Sequence, residues 1–304
     1  MTKLSYLVIS LKYVSWRLYI LSGWKVWEAG CGPPPKPSTP SDDLYRKNDL
    51  AGNLATKDSM ATHHQEASTG AQDRSRREER ALRILDVAAA LILRWGYNKT
   101  TIDDIARQAG VAKGTIYLHW KTREALFRAL MHRERLALLT DLRQRIVADP
   151  AGGTLHAMLK HTALALMARP LLKAVLLRDI NVIGKLAHSQ HHSAAYAERL
   201  AGFTSYLQLL RDQGLVRTDL SLRAQMYMAS ATFLGFFLAA PLLPDALALP
   251  DDELADMLAE TVHRALDSGR QAEAAVLQIV SARFVQHLDQ NIARLQEQIQ
   301  QDVA

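Results

Sequence analysis

Three side chains suited to contacting nucleic acid occur at alternate positions in one short predicted helix. Lys113, Thr115 and Tyr117 supply a cation, a hydroxyl with a methyl group, and a phenol. A lysine can donate to the acceptor atoms of guanine, and a threonine methyl can contact the methyl of thymine. Gly114 lies among them and would let a backbone approach closely. We expect Lys113, Thr115 and Tyr117 to contact base edges or the DNA groove, with a buried core aromatic as the alternative for Tyr117.

The local pattern around these residues predicts two short helices joined by a tight turn. Thr101 is a good N-cap residue, and Asp104 stands three positions later as in a capping box. Gly110 interrupts the helical pattern, and a further helix is expected from about Ala112. Before them, apolar residues at three- and four-residue spacing predict a longer helix over 77–95. Together these elements form a helix-turn-helix plan.

The net charge of the chain is concentrated in this region. The 304 residues carry a formal charge of +6, and residues 74–128 alone hold 12 basic and 6 acidic side chains. A localised basic segment in an otherwise neutral chain indicates a nucleic-acid-binding module. Five arginines stand at the start of the first predicted helix: Arg74, Arg76, Arg77, Arg80 and Arg83. Positive charge there opposes the helix dipole, so the cluster suggests an external anionic partner. The alternative is a charged face that is simply solvated.

The run TTIDDIARQAGVAKGTIYLHWKTREAL at residues 100–126 resembles the DNA-binding signature of the TetR family of bacterial regulators. It departs from that signature at Leu118-His119-Trp120, where the family often has a variable residue followed by Tyr-Phe. A second departure is Thr122-Arg123, where Ser-Lys is commoner. By their chemistry, four residues are better placed for phosphates than for bases: Thr101, His119, Lys121 and Arg123.

The expected fold is all-α, because strand-like alternation is not convincing anywhere in the sequence. We expect an N-terminal three-helix helix-turn-helix DNA-binding domain followed by an all-helical ligand-binding and dimerisation domain. The predicted boundaries are a leader and disordered linker at 1–76, the DNA-binding domain at 77–128, the helical body at 129–270 and a helical extension at 271–304. Body helices are predicted at about 123–146, 154–168, 170–187, 193–214, 221–240 and 251–268.

The resemblance implies a homodimer that binds a palindromic operator in double-stranded DNA and is released by a small-molecule effector, most often as a repressor. Helix 221–240 is apolar nearly all round and must be covered on several sides. With helix 251–268 it would form half of a two-fold four-helix interface, or else an ordinary monomer core. Candidate effector contacts, each with core packing as the alternative, are Met158, Met167, Phe203 and Tyr206.

The C-terminal extension contains a two-heptad apolar seam, which includes Leu288 and Leu295. Two heptads are too short for a solitary coiled coil, so the seam must pack on its own body or on a partner subunit. Additional dimer surface is the favoured interpretation.

Enzymatic and metal-binding roles are not expected. The sequence lacks the nucleophile-elbow, Walker A, dinucleotide-binding and His-Glu-x-x-His motifs. The histidines at 188–192, with His156 and His161, are poorly spaced for one face of a helix, so neither a metal site nor a cofactor is predicted.

The first 31 residues leave an alternative open, that of a membrane-associated or exported helical protein. Lys3 precedes a short apolar stretch, but Lys12 and Arg17 interrupt it too early for a membrane span. The single cysteine, Cys31, excludes an intrachain disulfide and favours a reducing compartment. We therefore expect a cytoplasmic protein without a membrane partner, whose residues 1–59 are of doubtful nativeness because Met60 would be a more conventional start.

Overall fold

A computed structural model describes residues 58–177, 179 and 194–303 of the chain. About 81% of the structure is helical, and the described residues contain no strand beyond an isolated bridge between Val216 and Asp267. The all-α prediction is confirmed. The described part holds these α-helices: α1 Asp58–Trp95, α2 Ile102–Ala109, α3 Lys113–His119, α4 Arg123–Ala148, α5 Leu155–Met167, α6 Pro170–Leu176, α7 Ala194–Asp212, α8 Leu222–Ala239, α9 Asp251–Leu266 and α10 Ala274–Val303.

Helix α1 begins at Asp58, well before the predicted start at residue 77. The prediction of a disordered linker is therefore wrong for residues 58–76, whereas residues 1–57 lie outside the described part. Few apolar residues suggested disorder there, but alanine, glutamine and glutamate favour helix, and no proline interrupts the segment. Gly70 lowers the stability of the helix locally, but the packing of the C-terminal half of α1 offsets this loss.

The C-terminal half of α1 packs with α2 and α3 around one apolar core. Its largest fully buried members include Ile84, Leu91, Ile105, Ile116 and Trp120. Arg133 of α4 ties this core to the body, because its Nη1 atom lies 2.6 Å from Oδ1 of Asp86 on α1. Residues Met60–Ala304 form one compact unit. The division at 128 and 270 therefore stays a prediction.

The body is built from α4 to α10. Helix α5 packs along α9, and α10 packs along α4. The seam of α10 is buried within the chain through Val280, Phe284, Leu288 and Leu295. The own-body packing that the sequence left open is thus observed for Leu288 and Leu295, and additional dimer surface on α10 stays a prediction.

Helix α6 is much shorter than the predicted helix over 170–187. It ends at Leu176, with Leu177 as its C-cap residue. The Asp179 amide donates to the Ala174 carbonyl at 2.9 Å, which closes the last turn instead of extending it. Residues 180–187 and the histidines at 188–192 lie outside the described part.

Helix α8 and the segment after it leave much apolar surface uncovered. Leu242 is 82% exposed, and Tyr227, Leu238 and Leu243 are also exposed. Among the described residues, one helical segment, Leu222–Leu242, has the length and the apolar composition that a membrane span needs. Only 17% of its most apolar window is buried. The core helix of a soluble protein passes the same test, so this finding alone does not establish a membrane span.

Candidate nucleic-acid interface

The helix that precedes the candidate interface is fixed by a complete capping box. The Thr101 hydroxyl accepts from the Asp104 amide at 3.1 Å, and the Asp104 carboxylate accepts from the Thr101 amide at 3.3 Å. The Thr101 hydroxyl also donates to that carboxylate at 2.6 Å. These Thr101 hydrogen bonds, together with the Arg107 guanidinium, lower the pKa of Asp104. The start of α2 is thus set by residues adjacent to it in sequence.

The turn between α2 and α3 depends on Gly110. This residue has a φ of 65°, in the left-handed region that glycine adopts at little cost. The amides of Gly110 and Val111 donate to carbonyls of the last turn of α2, at 3.4 Å to Arg107 and 3.0 Å to Ala106. This double closure is the usual end of a helix at a glycine. It places the first residue of α3 three positions later.

Helix α3 presents one face to the core and the opposite face to solvent. Ile116 and Trp120 are buried, whereas Lys113, Gly114 and Tyr117 are exposed. Tyr117 is 38% exposed, which excludes the core-aromatic alternative. Thr115 is partly buried at the edge of the exposed face. The structure thus places the three predicted base contacts on one short helix together with Gly114.

Leu118 is a candidate contact that the sequence reasoning missed. It is 68% exposed and follows Tyr117 on the outward face of α3. An apolar side chain in that position can contact a thymine methyl in the major groove. Its helical register could have revealed it, because Ile116 and Trp120 turn inward and leave positions 117 and 118 facing out.

Lys113 is paired with an acidic residue of the preceding helix. Its Nζ atom lies 2.8 Å from Oδ2 of Asp103, and both side chains are largely exposed. The hydrogen bond to Asp103 and its charge raise the pKa of Lys113. An exposed pair of this kind exchanges readily with solvent or with another partner. Lys113 can therefore turn from Asp103 toward an acceptor on DNA.

His119 does not lie where the sequence placed it. It is only 7% exposed, its ring lies 5.3 Å from the ring of Trp120, and its Nδ1 atom is buried without a hydrogen-bond partner among the described residues. Burial lowers its pKa, and the charges of Arg77 and Arg80 lower it further. The predicted phosphate contact therefore needs correction, because a buried and neutral imidazole is a poor phosphate ligand.

Arg123 is also turned toward the protein. Its guanidinium carbon lies 4.0 Å from the centre of the Tyr97 ring, and its Nη2 donates to the Tyr97 carbonyl. Tyr97 in turn packs edge-on against Phe127 at 4.9 Å. Arg123 thus joins the start of α4 to the segment between α1 and α2. The sequence assigned it to a phosphate, but this geometry gives it a structural role.

The remaining phosphate candidates are accessible. Thr101, the N-cap residue of α2, is exposed, and so is Lys121 in the short segment between α3 and α4. Because α1 begins at Asp58, the arginine cluster lies inside the helix and not at its start as predicted. Within the cluster, Arg83 donates to the Ala109 carbonyl at 3.2 Å and so closes the C-terminal end of α2. Arg76 lies 4.0 Å from Asp73 in a largely exposed pair. The arginine cluster therefore divides into one structural member and several accessible cations.

The four predicted effector contacts lie in or beside the body core. Met158 is buried, and Met167 and Phe203 pack against the core at its edge. The Tyr206 hydroxyl is buried and donates to the Gly153 carbonyl at 2.6 Å, and burial raises its pKa far above the ordinary value. Tyr206 therefore has a structural partner, and the role of all four in binding an effector stays a prediction.

Comparison with known proteins links this region to one family. The sequence pattern of "Bacterial regulatory proteins, tetR family" matches residues 84–130. The "Fatty acid metabolism regulator protein" of Bacillus subtilis is 33% identical over 70 residues, which is 23% of this chain and 36% of that protein. The "HTH-type transcriptional regulator QacR" of Staphylococcus aureus is 40% identical over 52 residues, 17% of this chain and 28% of that protein. The chain matches about a third or less of the length of these relatives.

Solved structures show a looser similarity over a longer stretch. NalD of Pseudomonas aeruginosa, described as the secondary repressor of the MexAB-OprM multidrug efflux pump, is 21% identical with a TM-score of 0.46. That overlay covers 64% of this chain and 98% of NalD. The matched residues 84–130 contain α2, the glycine turn and α3, which confirms the predicted resemblance. This segment of the chain carries the sequence pattern of the TetR family of bacterial regulatory proteins.

Proposed function

We propose that the protein is a DNA-binding transcriptional regulator that acts in the cytoplasm as a homodimer. The observation that carries this proposal is the exposed face of α3. Lys113, Gly114, Tyr117 and Leu118 are open to solvent, while Ile116 and Trp120 anchor the helix from behind. A short, rigidly held helix with such a surface fits the major groove. The +6 charge of residues 74–128 supplies the attraction to phosphates.

The size of DNA sites and the surface of the body support the proposed dimer. One helix-turn-helix head reads only a few base pairs, so specificity requires two heads on a two-fold site. The uncovered apolar residues of α8 and the segment after it, with Met257 on α9, provide a surface for a second copy. A stable interface buries about 1,200–2,000 Å² in total. We place the dimer contact on this surface, as the family resemblance implies.

Release from DNA by a small molecule is the proposed mode of control, with repression as the default outcome. In this scheme DNA favours the dimer state whose two α3 helices lie one helical turn of DNA apart, and an effector favours a different spacing. The matched relatives include the "A-factor receptor protein" of Streptomyces griseus, whose name implies a bound signal. That match covers only 17% of the relative, so the effector of this chain is proposed by resemblance alone.

The experiment is selection of bound duplexes from a random DNA pool, followed by sequencing. The proposal predicts a two-fold symmetric site with half-sites centred about 10 base pairs, or a multiple of that, apart. Light scattering at the same protein concentration should give the mass of a dimer. A pool that shows no enrichment, or a protein that stays monomeric while bound, would contradict the proposal.

The dimer surface is tested by charge insertion. Leu238→Glu combined with Tyr227→Glu should shift the protein to the monomer mass. The control is Ile279→Glu, because Ile279 is similarly exposed but lies on α10. Loss of the dimer in the control alone would place the interface on α10 instead.

A further inference from the structure

Two histidines and one aspartate from distant parts of the chain meet at one point of the body. His156 lies in the first turn of α5, His263 in the last turn of α9, and Asp267 is the C-cap residue of α9. Oδ2 of Asp267 lies 2.7 Å from Nδ1 of His156 and 2.5 Å from Nδ1 of His263. The two imidazole rings are 4.8 Å apart at a steep angle. One carboxylate oxygen thus faces two imidazole nitrogens.

The backbone around this cluster is held on both sides. The Ser268 amide donates to the Leu215 carbonyl at 3.1 Å, and the Arg217 amide donates to the Leu266 carbonyl at 2.9 Å. These bonds fix the chain on either side of Asp267. On the His156 side of the cluster, the Thr154 hydroxyl caps α5 by accepting from the Ala157 amide. The three side chains are therefore positioned by two packed helices rather than by a free loop.

The hydrogen-bonding pattern of the cluster is incomplete without a further partner. Oδ1 of Asp267 is buried and has no hydrogen-bond partner among the described residues. The second ring nitrogen of His156, Nε2, lies 3.3 Å from the Thr154 hydroxyl. Metal-binding histidines usually hold their other ring nitrogen in such a hydrogen bond, which orients the ring. His156 therefore already has the outer contact that a ligand histidine needs.

We propose that His156, His263 and Asp267 form a binding site for a divalent transition-metal ion, with Zn²⁺ as the best chemical fit. The donor atoms all lie within 4.8 Å of one another. Two imidazole nitrogens and one carboxylate oxygen suit Zn²⁺, which accepts three protein ligands and leaves a position for water. The proposed site departs from the sequence expectation of no metal, because His156 lies 111 residues before Asp267 in the sequence.

The surroundings are suited to a cation that arrives from solvent. The His263 side chain is 51% exposed, so an ion can reach the cluster from the surface. The negative end of the α9 dipole and the Asp267 carboxylate favour a positive charge there. The positive end of α5 opposes it, but a full carboxylate charge outweighs a partial helix charge.

The test is calorimetric titration of chelator-treated full-length protein with Zn²⁺ alone. The proposal predicts one tight site per chain, and His156→Ala or His263→Ala should weaken it by roughly tenfold or more. The matched control is His161→Ala. His161 pairs with Asp149 at 2.8 Å in the same body, and among the described residues no third metal-binding side chain joins this pair. A second control replaces His188, His191 and His192, so that the histidine-rich segment is tested separately. Both controls should retain the tight site.

Two further measurements keep the test decisive if a variant folds poorly. Co²⁺ added to the wild type should give the visible absorption bands of a low-symmetry nitrogen and oxygen site. Zn²⁺ should shift the imidazole resonances of His156 and His263 together in the NMR spectrum. Unchanged resonances, or tight binding that persists in both ligand variants, would overturn the proposal. Loss of the tight site only when residues 188, 191 and 192 are replaced would overturn it equally.

Discussion

The ammonium of Lys113 lies 2.8 Å from the carboxylate of Asp103, which joins the exposed end of α3 to the beginning of α2. The only base-edge candidate with a charge is thus held, in the free protein, by an acid that is itself exposed beside the DNA-facing surface. Binding to DNA requires Lys113 to exchange this partner for a base or a phosphate. Asp103 therefore competes with DNA both through this pair and through its charge.

Asp103→Asn should raise DNA affinity roughly three- to tenfold at moderate salt, because it frees Lys113 and removes a negative charge near the phosphates. The measurement is fluorescence anisotropy with a selected duplex. Glu273→Gln is the control, since it makes the same change in net charge on exposed residue Glu273, outside the head. An equal gain in both variants would show that only net charge matters.

Gly114→Ala should separate DNA binding from folding. A Cβ at Gly114 would meet no atom within 4 Å, and the residue lies inside α3. Alanine should therefore stabilise the fold by about 0.5–1 kcal/mol while it weakens DNA binding, because the methyl group lies on the surface that approaches the groove. Denaturant unfolding and duplex binding are measured on the same sample.

Gly110→Ala is the comparison for that variant. The space around Gly110 is also open, but its φ of 65° should cost alanine about 1 kcal/mol or more. If Gly114→Ala leaves DNA binding unchanged, α3 does not approach the groove closely at that residue.

Arg123 should contribute to folding stability, whereas Lys121 should contribute to DNA binding. Arg123→Ala should lower the free energy of unfolding by about 1–2 kcal/mol, because it removes the stacking on Tyr97 and the hydrogen bond to its carbonyl. Arg123→Lys should restore little, since lysine lacks the planar guanidinium. Lys121→Ala should leave stability unchanged and reduce the salt dependence of DNA binding. If Arg123→Ala instead left stability unchanged and reduced the salt dependence of DNA binding, Arg123 would be a phosphate contact and not a structural residue.

His119 should titrate below the ordinary histidine range. Its pKa is lowered by burial and by Arg77 and Arg80, so the unfolded chain takes up a proton before the folded one does. Its contribution to stability is then complete above pH about 6.5 and is lost as the pH falls toward the folded pKa. His119→Phe should flatten this part of the stability curve. NMR titration of the His119 ring measures the pKa directly, and a value at or above 6.5 would contradict the burial argument.

The helix-turn-helix was predictable because its signals are local. Thr101 and Asp104 are three residues apart, and Gly110 ends α2 by its own conformational freedom. Each of these effects depends on neighbours within one or two helical turns, so it is visible in the sequence. The alternation of buried Ile116 and Trp120 with exposed neighbours follows from the same helical register.

The parts that sequence reasoning missed depend on distant contacts. His119 and Arg123 have the chemistry of phosphate ligands, but the packing of Trp120 and Tyr97 turned them inward. The seam of α10 was visible, yet only the structure shows that α4 covers it. His156 and Asp267 are separated by 111 residues, so no spacing rule could have joined them.

The central claim is that the exposed face of α3 reads DNA, and operator binding by Lys113→Ala and Tyr117→Ala variants tests it most directly. Anisotropy titrations should use the selected duplex and a scrambled duplex of the same length. Both variants should lose most of their preference for the selected duplex, by roughly tenfold or more each. Arg264→Ala, which removes one exposed cation from α9, should behave as the wild type. Unchanged preference in both α3 variants would contradict the account.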